Sequence, residues 1–357
     1  MDFNAFLNAL LNLAPDQVSD LHFKVGAPPT LRINGVMRHA KFNKLAEADT
    51  ERIVQNFLTD RQKQHLDTLK SLDTSYSTPE GQRFRVNVFR QRGVFSAVLR
   101  VIPREIPTVE SLGLPPVLKE IAMEERGMVL VTGITGSGKS STLAAMINHI
   151  NHNRKGHILT IEDPIEYIYE DNQCTINQRE IGPDADSFAD ALRGGLRQDP
   201  DVILVGEMRD RETIEIALKA SETGHMVFST LHTVDAAKTV NRIIDSFPGE
   251  QQQQVRYQLS ANLKAVISQR LLRRQDEKGR VPAVEIMRST GTIRACIEEA
   301  EKTAGIRDAI EAGRDQYQMQ SFDQHLTRLY RDEAVSLETA KAASSNPADF
   351  ERALQFE

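Results

Sequence analysis

The residues with the clearest chemical meaning are 133–140, which have the sequence G-I-T-G-S-G-K-S. This spacing matches the phosphate-binding pattern G-x-x-x-x-G-K-[ST], and it lies between a strand-like apolar run at 128–132 and a helix-forming stretch at 141–150. Backbone N–H groups and the helix N-terminus would surround the phosphates, Lys139 would reach the β and γ phosphates, and Ser140 would bind Mg²⁺. The pattern therefore predicts a nucleoside triphosphate site.

A second candidate is the segment 201–207, D-V-I-L-V-G-E, which predicts a buried strand ending in a carboxylate. Such a strand delivers an acid to the metal and the attacking water of a phosphate-loop enzyme. Gly206 occupies the position at which many of these proteins place a metal-binding aspartate. We therefore expect Glu207 to act alone or through water.

Two further apolar runs end in groups that can transfer or donate protons. Residues 157–161 lead into E-D-P-I-E, which places Glu162, Asp163 and Glu166 at the edge of the predicted sheet, where one of them could orient or deprotonate water. Residues 226–231 end at His232, which could donate to a γ-phosphate. A lone histidine is more often structural, and the convergence of three strand ends on one loop favours the functional interpretation.

The elements that position these groups fall into two parts. In the first hundred residues the periodicity predicts a small α+β domain with an opening amphipathic helix, short strands at 19–23 and 30–35, a polar helix near 46–70, and a hairpin formed by 84–88 and 94–102. Prolines and glycines crowd residues 103–116 and predict a linker. We expect domains at 1–103 and 113–357, joined by a linker at 104–112.

The second part alternates short apolar runs with helical patterns, which predicts an α/β fold with a mostly parallel sheet. From about residue 250 the chain is polar, and we expect it to be helical through 251–272 and on to the tail.

Six arginines and no carboxylate lie between residues 83 and 104, on or beside the predicted hairpin. Three interpretations are open for them: contact with phosphate across a subunit boundary, nucleic-acid binding, or a solvated surface. The net charge of −6 over 357 residues argues against a protein that wraps nucleic acid with its whole surface.

The composition of the chain excludes several further classes of protein. Hydrophobic residues at 40% and charged residues at 26% exclude wholesale disorder and fibrous classes. The two cysteines fit neither a disulfide framework nor a C-x-x-C metal site. No apolar run approaches the length of a membrane span, and the first residues lack the features of a signal peptide, so we expect a cytoplasmic protein.

Taken in order, these motifs resemble the bacterial secretion ATPases, and most closely the type IV pilus retraction ATPases of the PilT/PilU family. The resemblance covers nearly the whole chain. It is carried by the phosphate loop, the carboxylate box, the strand ending at Glu207, the T-L-H-T box around His232, and the segments S-D-L-H at 19–22, N-Q-R-E at 177–180 and L-R-Q-D-P-D at 196–201. The related assembly and type II secretion ATPases usually carry a further N-terminal domain and a four-cysteine zinc insertion, and we expect this chain to start at the PAS-like domain.

The resemblance implies a homohexameric ring in which a PAS-like N-terminal domain precedes a RecA-like ATPase domain with a helical C-terminal region. It implies ATP and Mg²⁺ as ligands, a PilC-like platform protein of the inner membrane as partner, no direct nucleic-acid partner, and a cytoplasmic location at the pilus base. The residue roles that it implies are phosphate binding by Thr135, Gly136, Ser137, Gly138, Lys139, Ser140 and Ser141; metal binding by Ser140 and Glu207; water activation by Glu166; phosphate sensing by His232; and nucleotide contact by Arg85 and Arg100.

Two positions depart from the family pattern. Ile134 replaces a proline that is usual in the loop, and residues 305–311 only loosely resemble the A-I-R-N-L-I-R-E motif of retraction ATPases. The leading hypothesis is a retraction motor that turns the platform protein. The alternatives are a PilU-like accessory ATPase, a RecA-like nucleic-acid motor, and a scaffold that binds nucleotide without hydrolysing it.

Overall fold

The computed structural model describes residues 2–15, 17–64 and 66–356. They form two compact units. The first comprises the chain up to Glu105 together with Pro164–Ile168, and the second comprises Ile106–Asp163 and the chain from Tyr169 onward. Every helix in the described part of the chain is too short or too polar to cross a lipid bilayer.

The first unit is built on an antiparallel sheet with the strand order β3-β2-β1-β6-β5-β4. Its elements are α1 (Phe3–Leu11), β1 (Val18–Lys24), β2 (Thr30–Ile33), β3 (Val36–His39), α2 (Glu47–Gln55), α3 (Asp60–Gln64), β4 (Ser71–Ser77), β5 (Arg83–Gln91) and β6 (Val94–Ile102).

One face of this sheet carries the core of the first unit. Along β5 the buried Phe84, Val86 and Val88 alternate with the partly exposed Arg83 and Arg85, as expected for a strand with one buried face. Buried side chains of α1 and α2 join the same core, so arginines are left on the opposite face of the strand. Each fully buried large apolar side chain contributes roughly 1.5–3 kcal/mol.

The structure confirms the opening helix, the two short strands as β1 and β2, and the β5–β6 hairpin, and it corrects two other parts of this region. The single polar helix predicted near 46–70 is wrong, because the chain forms α2, α3 and a 3₁₀ turn at Leu66–Thr68 instead. The strands β3 and β4 are not predicted by the sequence pattern. The side chains of β3 are exposed and those of β4 are exposed or only partly buried, so no buried face produces the alternation that reveals a strand.

The second unit contains a sheet of the order β13-β12-β7-β11-β10-β8-β9, in which neighbours from β12 to β9 are parallel and β13 is antiparallel. Its strands are β7 (Gly127–Thr132), β8 (Gly156–Glu162), β9 (Cys174–Glu180), β10 (Val202–Val205), β11 (Met226–Leu231), β12 (Leu263–Arg273) and β13 (Arg280–Arg288). Its helices are α4 (Val117–Ala122), α5 (Lys139–Asn153), α6 (Phe188–Gly195), α7 (Arg211–Glu222), α8 (Ala236–Ile244), α9 (Gly249–Asn262), α10 (Gly291–Glu298), α11 (Ile306–Ala312), α12 (Arg314–Tyr317), α13 (Phe322–Arg331), α14 (Leu337–Ala343) and α15 (Pro347–Phe356).

The central strands explain why the sequence alternates apolar runs with helices. Every residue of β7, β10 and β11 is buried, which is the pattern of strands covered on both faces in a parallel α/β sheet. Side chains of Asp210 and Asp235 cap the helices that follow β10 and β11, and so fix where the chain turns back at the strand ends. The predicted α/β class is confirmed.

The expectation of a helical chain through 251–272 is wrong in its second half. The helix α9 ends at Asn262, and residues 263–273 form β12, beside β7. The leucines, alanine and glutamine of this stretch are compatible with a helix, but burial between β7 and β13 decides the outcome. The region after β13 is helical as expected.

Candidate nucleotide site

The phosphate loop connects the end of β7 to the start of α5, as the sequence predicts. Gly133, Gly136 and Gly138 have φ values of +145°, +78° and +92°, in the region that only glycine enters without strain. At Gly133 a Cβ would also lie 2.4 Å from the carbonyl oxygen of Gln269. The glycines are therefore required by the path of the backbone.

Inside the loop, the Lys139 side chain is buried and folds back over the backbone. Its Nζ donates hydrogen bonds to the carbonyl oxygens of Gly133 at 2.9 Å and Ile134 at 3.2 Å. The buried Oγ of Ser137 has no hydrogen-bond partner among the described residues. Because α5 begins at Lys139, the positive end of its dipole lies in the same loop. The arrangement suits an anion with several oxygen acceptors.

The other loop residues that sequence analysis selected are more accessible. Thr135, Gly136 and Ser140 are exposed, and Ser141 is half-buried in the first turn of α5. The exposed hydroxyl of Ser140 is a hard oxygen ligand of the kind that Mg²⁺ prefers.

Gln269 on β12 supports this loop and was not selected from the sequence. Its Oε1 accepts a hydrogen bond from Thr142 Oγ1 at 2.7 Å, and its Nε2 lies 2.8 Å from the position that a Cβ on Gly138 would occupy. The sequence does contain a signal for this role, because Gln269 is a polar residue within an otherwise apolar run, and the structure buries it. The signal was missed because the run was predicted to be helical.

Three strand ends meet at the edge of the sheet that carries the loop. Val205 on β10 pairs in register with Ile161 on β8 and Ser229 on β11, and all three strands are parallel. Glu162, Glu207 and His232 therefore follow neighbouring strands at one edge, as predicted.

Glu207 and His232 contact one another. The Oε2 of Glu207 lies 3.5 Å from Nε2 of His232, and Glu207 also contacts the guanidinium of Arg209. The Glu207 side chain is 14% exposed, whereas that of His232 is 51% exposed. The carboxylate is thus held in place while the imidazole remains accessible.

The position before Glu207 has little room for a side chain. A Cβ on Gly206 would approach the carbonyl oxygen of Ile161 to 3.2 Å, and Gly206 N donates to that same oxygen at 2.8 Å. The Gly206 carbonyl accepts from Thr230 Oγ1 at 2.7 Å. These contacts give a physical reason for glycine at this position.

Glu162 is a buried carboxylate at the end of β8. Its Oε1 accepts hydrogen bonds from Thr160 Oγ1 at 2.7 Å and Gln178 Nε2 at 3.3 Å. A donor on β8 itself and one on the neighbouring β9 therefore satisfy this oxygen, which is the arrangement of a carboxylate that organises the sheet edge.

In the first unit, charged residues form a row across four neighbouring strands. Arg32, Asp20, Arg100 and Arg85 are successive register partners on β2, β1, β6 and β5, and we call them the arginine row. The buried carboxylate of Asp20 accepts from Arg100 Nε at 3.1 Å and lies 3.4 Å from Arg32 Nε. Arg85 and Arg100 are like charges directly opposite one another, which is unfavourable. Asp20 offsets part of this repulsion.

Glu166 is grouped with the first unit, whereas sequence analysis grouped it with the strand-end carboxylates of the second. Its Oε1 lies 3.9 Å from Arg85 Nη1, and Arg83 Nε donates to the carbonyl oxygen of Ile165 at 3.0 Å. The structure thus brings together Glu166 and Arg85, two residues selected from the sequence for different reasons.

Comparisons of the sequence with known proteins agree on one protein family. The family model described as "Type II/IV secretion system protein" matches residues 17–355. The type IV pilus retractation ATPase PilT of Pseudomonas aeruginosa is 44% identical over 337 residues, covering 94% of this chain and 97% of that relative. A twitching motility protein of Neisseria gonorrhoeae is 44% identical over 339 residues, covering 95% and 90%.

A solved structure agrees with these relatives. The crystal structure of the pilus retraction motor PilT with bound ADP superimposes with a TM-score of 0.90 at 43% identity, and the match covers 99% of both chains. The described fold is therefore similar to one that is known to hold a nucleotide.

Proposed function

The chain belongs to the type II/IV secretion system protein family and is an ATPase of the pilus retraction type, and from this membership we propose that it is the motor that powers type IV pilus retraction. The observation that carries the proposal is that the phosphate loop and the Glu207–His232 pair lie at the same edge of one sheet, in a fold similar to a retraction motor over its whole length.

ATP is the nucleotide in this proposal, with its phosphates held by residues 135–141. Mg²⁺ would be held by the hydroxyl of Ser140 and by Glu207, directly or through water. Both are hard oxygen donors, so the residues fit the ion. When bound, Mg²⁺ would neutralise charge on the phosphate oxygens.

In the reaction, Glu166 accepts a proton from the attacking water, and His232 donates a hydrogen bond to the γ-phosphate oxygens. Glu207 holds His232 in place through their contact. Arg85 and Arg100 supply positive charge to the phosphates during transfer, the role of arginine fingers. Glu162 keeps the end of β8 in position.

The assembly that we propose is a homohexamer, and each subunit carries a PAS-like first unit and a RecA-like second unit. Hydrolysis would alternate each subunit between a closed and an open state. Turnover would then turn a PilC-like platform protein at the cytoplasmic face of the inner membrane. Light scattering at micromolar protein should detect a hexamer, and MgATP should stabilise it. A strictly monomeric protein in MgATP would reject the motor.

The catalytic assignment is tested by Glu166→Gln and Glu207→Gln, each of which keeps the shape of the side chain and removes its charge. Turnover should fall by about 10² or more while ATP still binds. Glu170→Gln, a change at an exposed carboxylate nearby in the chain, is the matched control and should turn over normally. Parental turnover in both test variants would show that the catalytic carboxylates are misassigned.

The biological assignment is tested by deleting the gene and scoring surface motility and pilus retraction. Loss of retraction supports the motor, and persistence of retraction would favour a PilU-like accessory role. Salt-dependent stimulation of the ATPase by DNA or RNA would instead support a nucleic-acid motor.

A further inference from the structure

Glu285 on β13 is a buried carboxylate to which the proposed reaction gives no role. It is 6% exposed. Its Oε1 accepts a hydrogen bond from the backbone N–H of Ala236 at 2.8 Å, and the hydroxyl-bearing Ser268 on β12 is its register partner and favours its charged form. A buried carboxylate is costly, and here specific donors compensate it.

One of these partners leads to the phosphate loop. The Oγ of Ser268 accepts a hydrogen bond from Thr132 Oγ1 at 3.1 Å, and Thr132 is the last residue of β7, directly before Gly133. Thr132, Ser268 and Glu285 are therefore successive register partners on three neighbouring strands.

The other partner leads to the loop that carries His232. Ala236 is the first residue of α8, and residues 232–235 connect it to β11. The side chain of Asp235 already caps the N–H of Lys238, so Glu285 satisfies a different N–H of the same helix terminus. A negative charge at this end also interacts favourably with the helix dipole.

We propose that Glu285 is a positioning residue that, through the first residue of α8, holds the His232 loop at a fixed distance from the phosphate loop. This inference rests on the proposed function, because it assigns importance to the position of His232 against the γ-phosphate. Glu285 acts only through its neighbours and does not itself contact nucleotide.

The electrostatic surroundings make this link sensitive to pH. The pKa of Glu285 is raised to about 7: burial is the largest cause and the nearby Asp235 carboxylate adds to it, whereas Ala236 N–H, Ser268 and Arg270 on β12 act to lower it. On α13, the buried His325 accepts from Val284 N at 2.9 Å, and its pKa is lowered to about 4, so it is neutral where Glu285 titrates. The ionised carboxylate binds the helix terminus more strongly, so the proposed link is strongest above pH 7.

The decisive experiment is a double-mutant cycle between Glu285→Gln and His232→Ala, measured as kcat for ATP and as affinity for ADP. Glu285→Gln should lower kcat about tenfold or more while changing ADP affinity by less than about twofold. In the His232→Ala background the same substitution should have no further effect. Equal effects in both backgrounds, or parental kcat in the single variant, would overturn the proposal.

The pH profile and a control variant separate positioning from simple destabilisation. Parental kcat should rise with pH through about 7, and Glu285→Gln should lose this rise. Glu298→Gln removes another carboxylate that accepts from a serine hydroxyl, that of Ser260 at 2.8 Å, and should leave kcat and its pH profile unchanged. Identical pH profiles for the parent and Glu285→Gln would contradict the proposal.

Hydrogen exchange distinguishes failure of this inference from failure of the proposed function. Faster exchange of the peptide 232–239 in Glu285→Gln supports the structural link even if the parent hydrolyses no ATP, an outcome that would reject the proposed function alone. Unchanged exchange would reject the link whatever the ATPase result.

Discussion

Substitution of Arg85 distinguishes a catalytic role of this residue from a surface role, because the two roles predict different effects on stability and turnover. Its pairing with Glu166 spans 3.9 Å, and the side chains are 42% and 37% exposed. A pair this accessible contributes at most about 0.5 kcal/mol, and its loss is offset by relief of repulsion from Arg100 directly opposite. We therefore expect Arg85→Ala to change the free energy of unfolding by less than about 0.5 kcal/mol.

Turnover should respond far more strongly. If Arg85 stabilises charge on the phosphates, Arg85→Ala should lower kcat at least about tenfold, which corresponds to roughly 1.4 kcal/mol of transition-state stabilisation. Phosphate release measures kcat, and urea unfolding followed by circular dichroism at 222 nm measures stability. A parental kcat would show that Arg85 is a solvated surface residue without a catalytic role. A selective loss of DNA binding would instead support the hypothesis of a nucleic-acid motor.

Arg90, on the same strand, is the matched control with the opposite expected result. Its guanidinium stacks 4.0 Å from the ring centroid of Phe95 and donates to the carbonyl oxygens of Leu66, Leu69 and Gly93. Arg90→Ala should cost about 2 kcal/mol or more of stability and leave the turnover of folded protein near the parental value. Loss of turnover without loss of stability in this variant would refute the reasoning.

The remaining predictions concern the second unit. Lys139→Ala should weaken ATP binding by about 10² or more, because the γ-phosphate loses its ammonium partner, and unchanged affinity in a titration with a fluorescent ATP analogue would reject the loop assignment. Gly138→Ala places a side chain at φ +92°, which costs about 1–2 kcal/mol, and should weaken ADP binding about tenfold in the same titration. Substituting Glu207 by Ala should lower kcat at least as much as the Gln variant, and phosphate release at saturating ATP checks this order. Burial lowers the pKa of His325 to about 4, from an unfolded value of 6.5. The stability that the neutral imidazole contributes, about 3 kcal/mol in all, is therefore present above pH 6.5 and is lost as the pH falls to 4. His325→Asn retains an acceptor for Val284 N and removes the titration, so its unfolding free energy should depend less on pH over this range, and equal slopes in urea unfolding would contradict the assignment.

The parts of the site that sequence analysis predicted are those encoded in contiguous residues. The phosphate loop needs only its own glycines and lysine between a strand and a helix, and the run ending at Glu207 is equally local. His232 could be placed because a strand that is buried on both faces is a continuous apolar run. Parallel strands then bring such ends to one sheet edge.

The parts that escaped prediction depend on residues far apart in the chain. Gln269 and Glu285 gain their partners only because β12 and β13 extend the sheet beside β7, and local composition of β12 suits a helix equally well. Asp20 was noted only as part of a family segment, although the register of β1 makes it the counter-ion of Arg100. Register between distant strands leaves no local pattern in the sequence.

The grouping of Pro164–Ile168 with the first unit has a consequence for the order in which the protein is built. During synthesis the strands β1–β6 leave the ribosome well before this segment, so the sheet and its core can form while Arg83 and Arg85 still lack Ile165 and Glu166. These contacts can form only after β8 has been made. The first unit is therefore completed only when part of the second unit has already been synthesised. A fragment that ends at Glu105 would therefore retain the arginine row but not the carboxylate that faces Arg85.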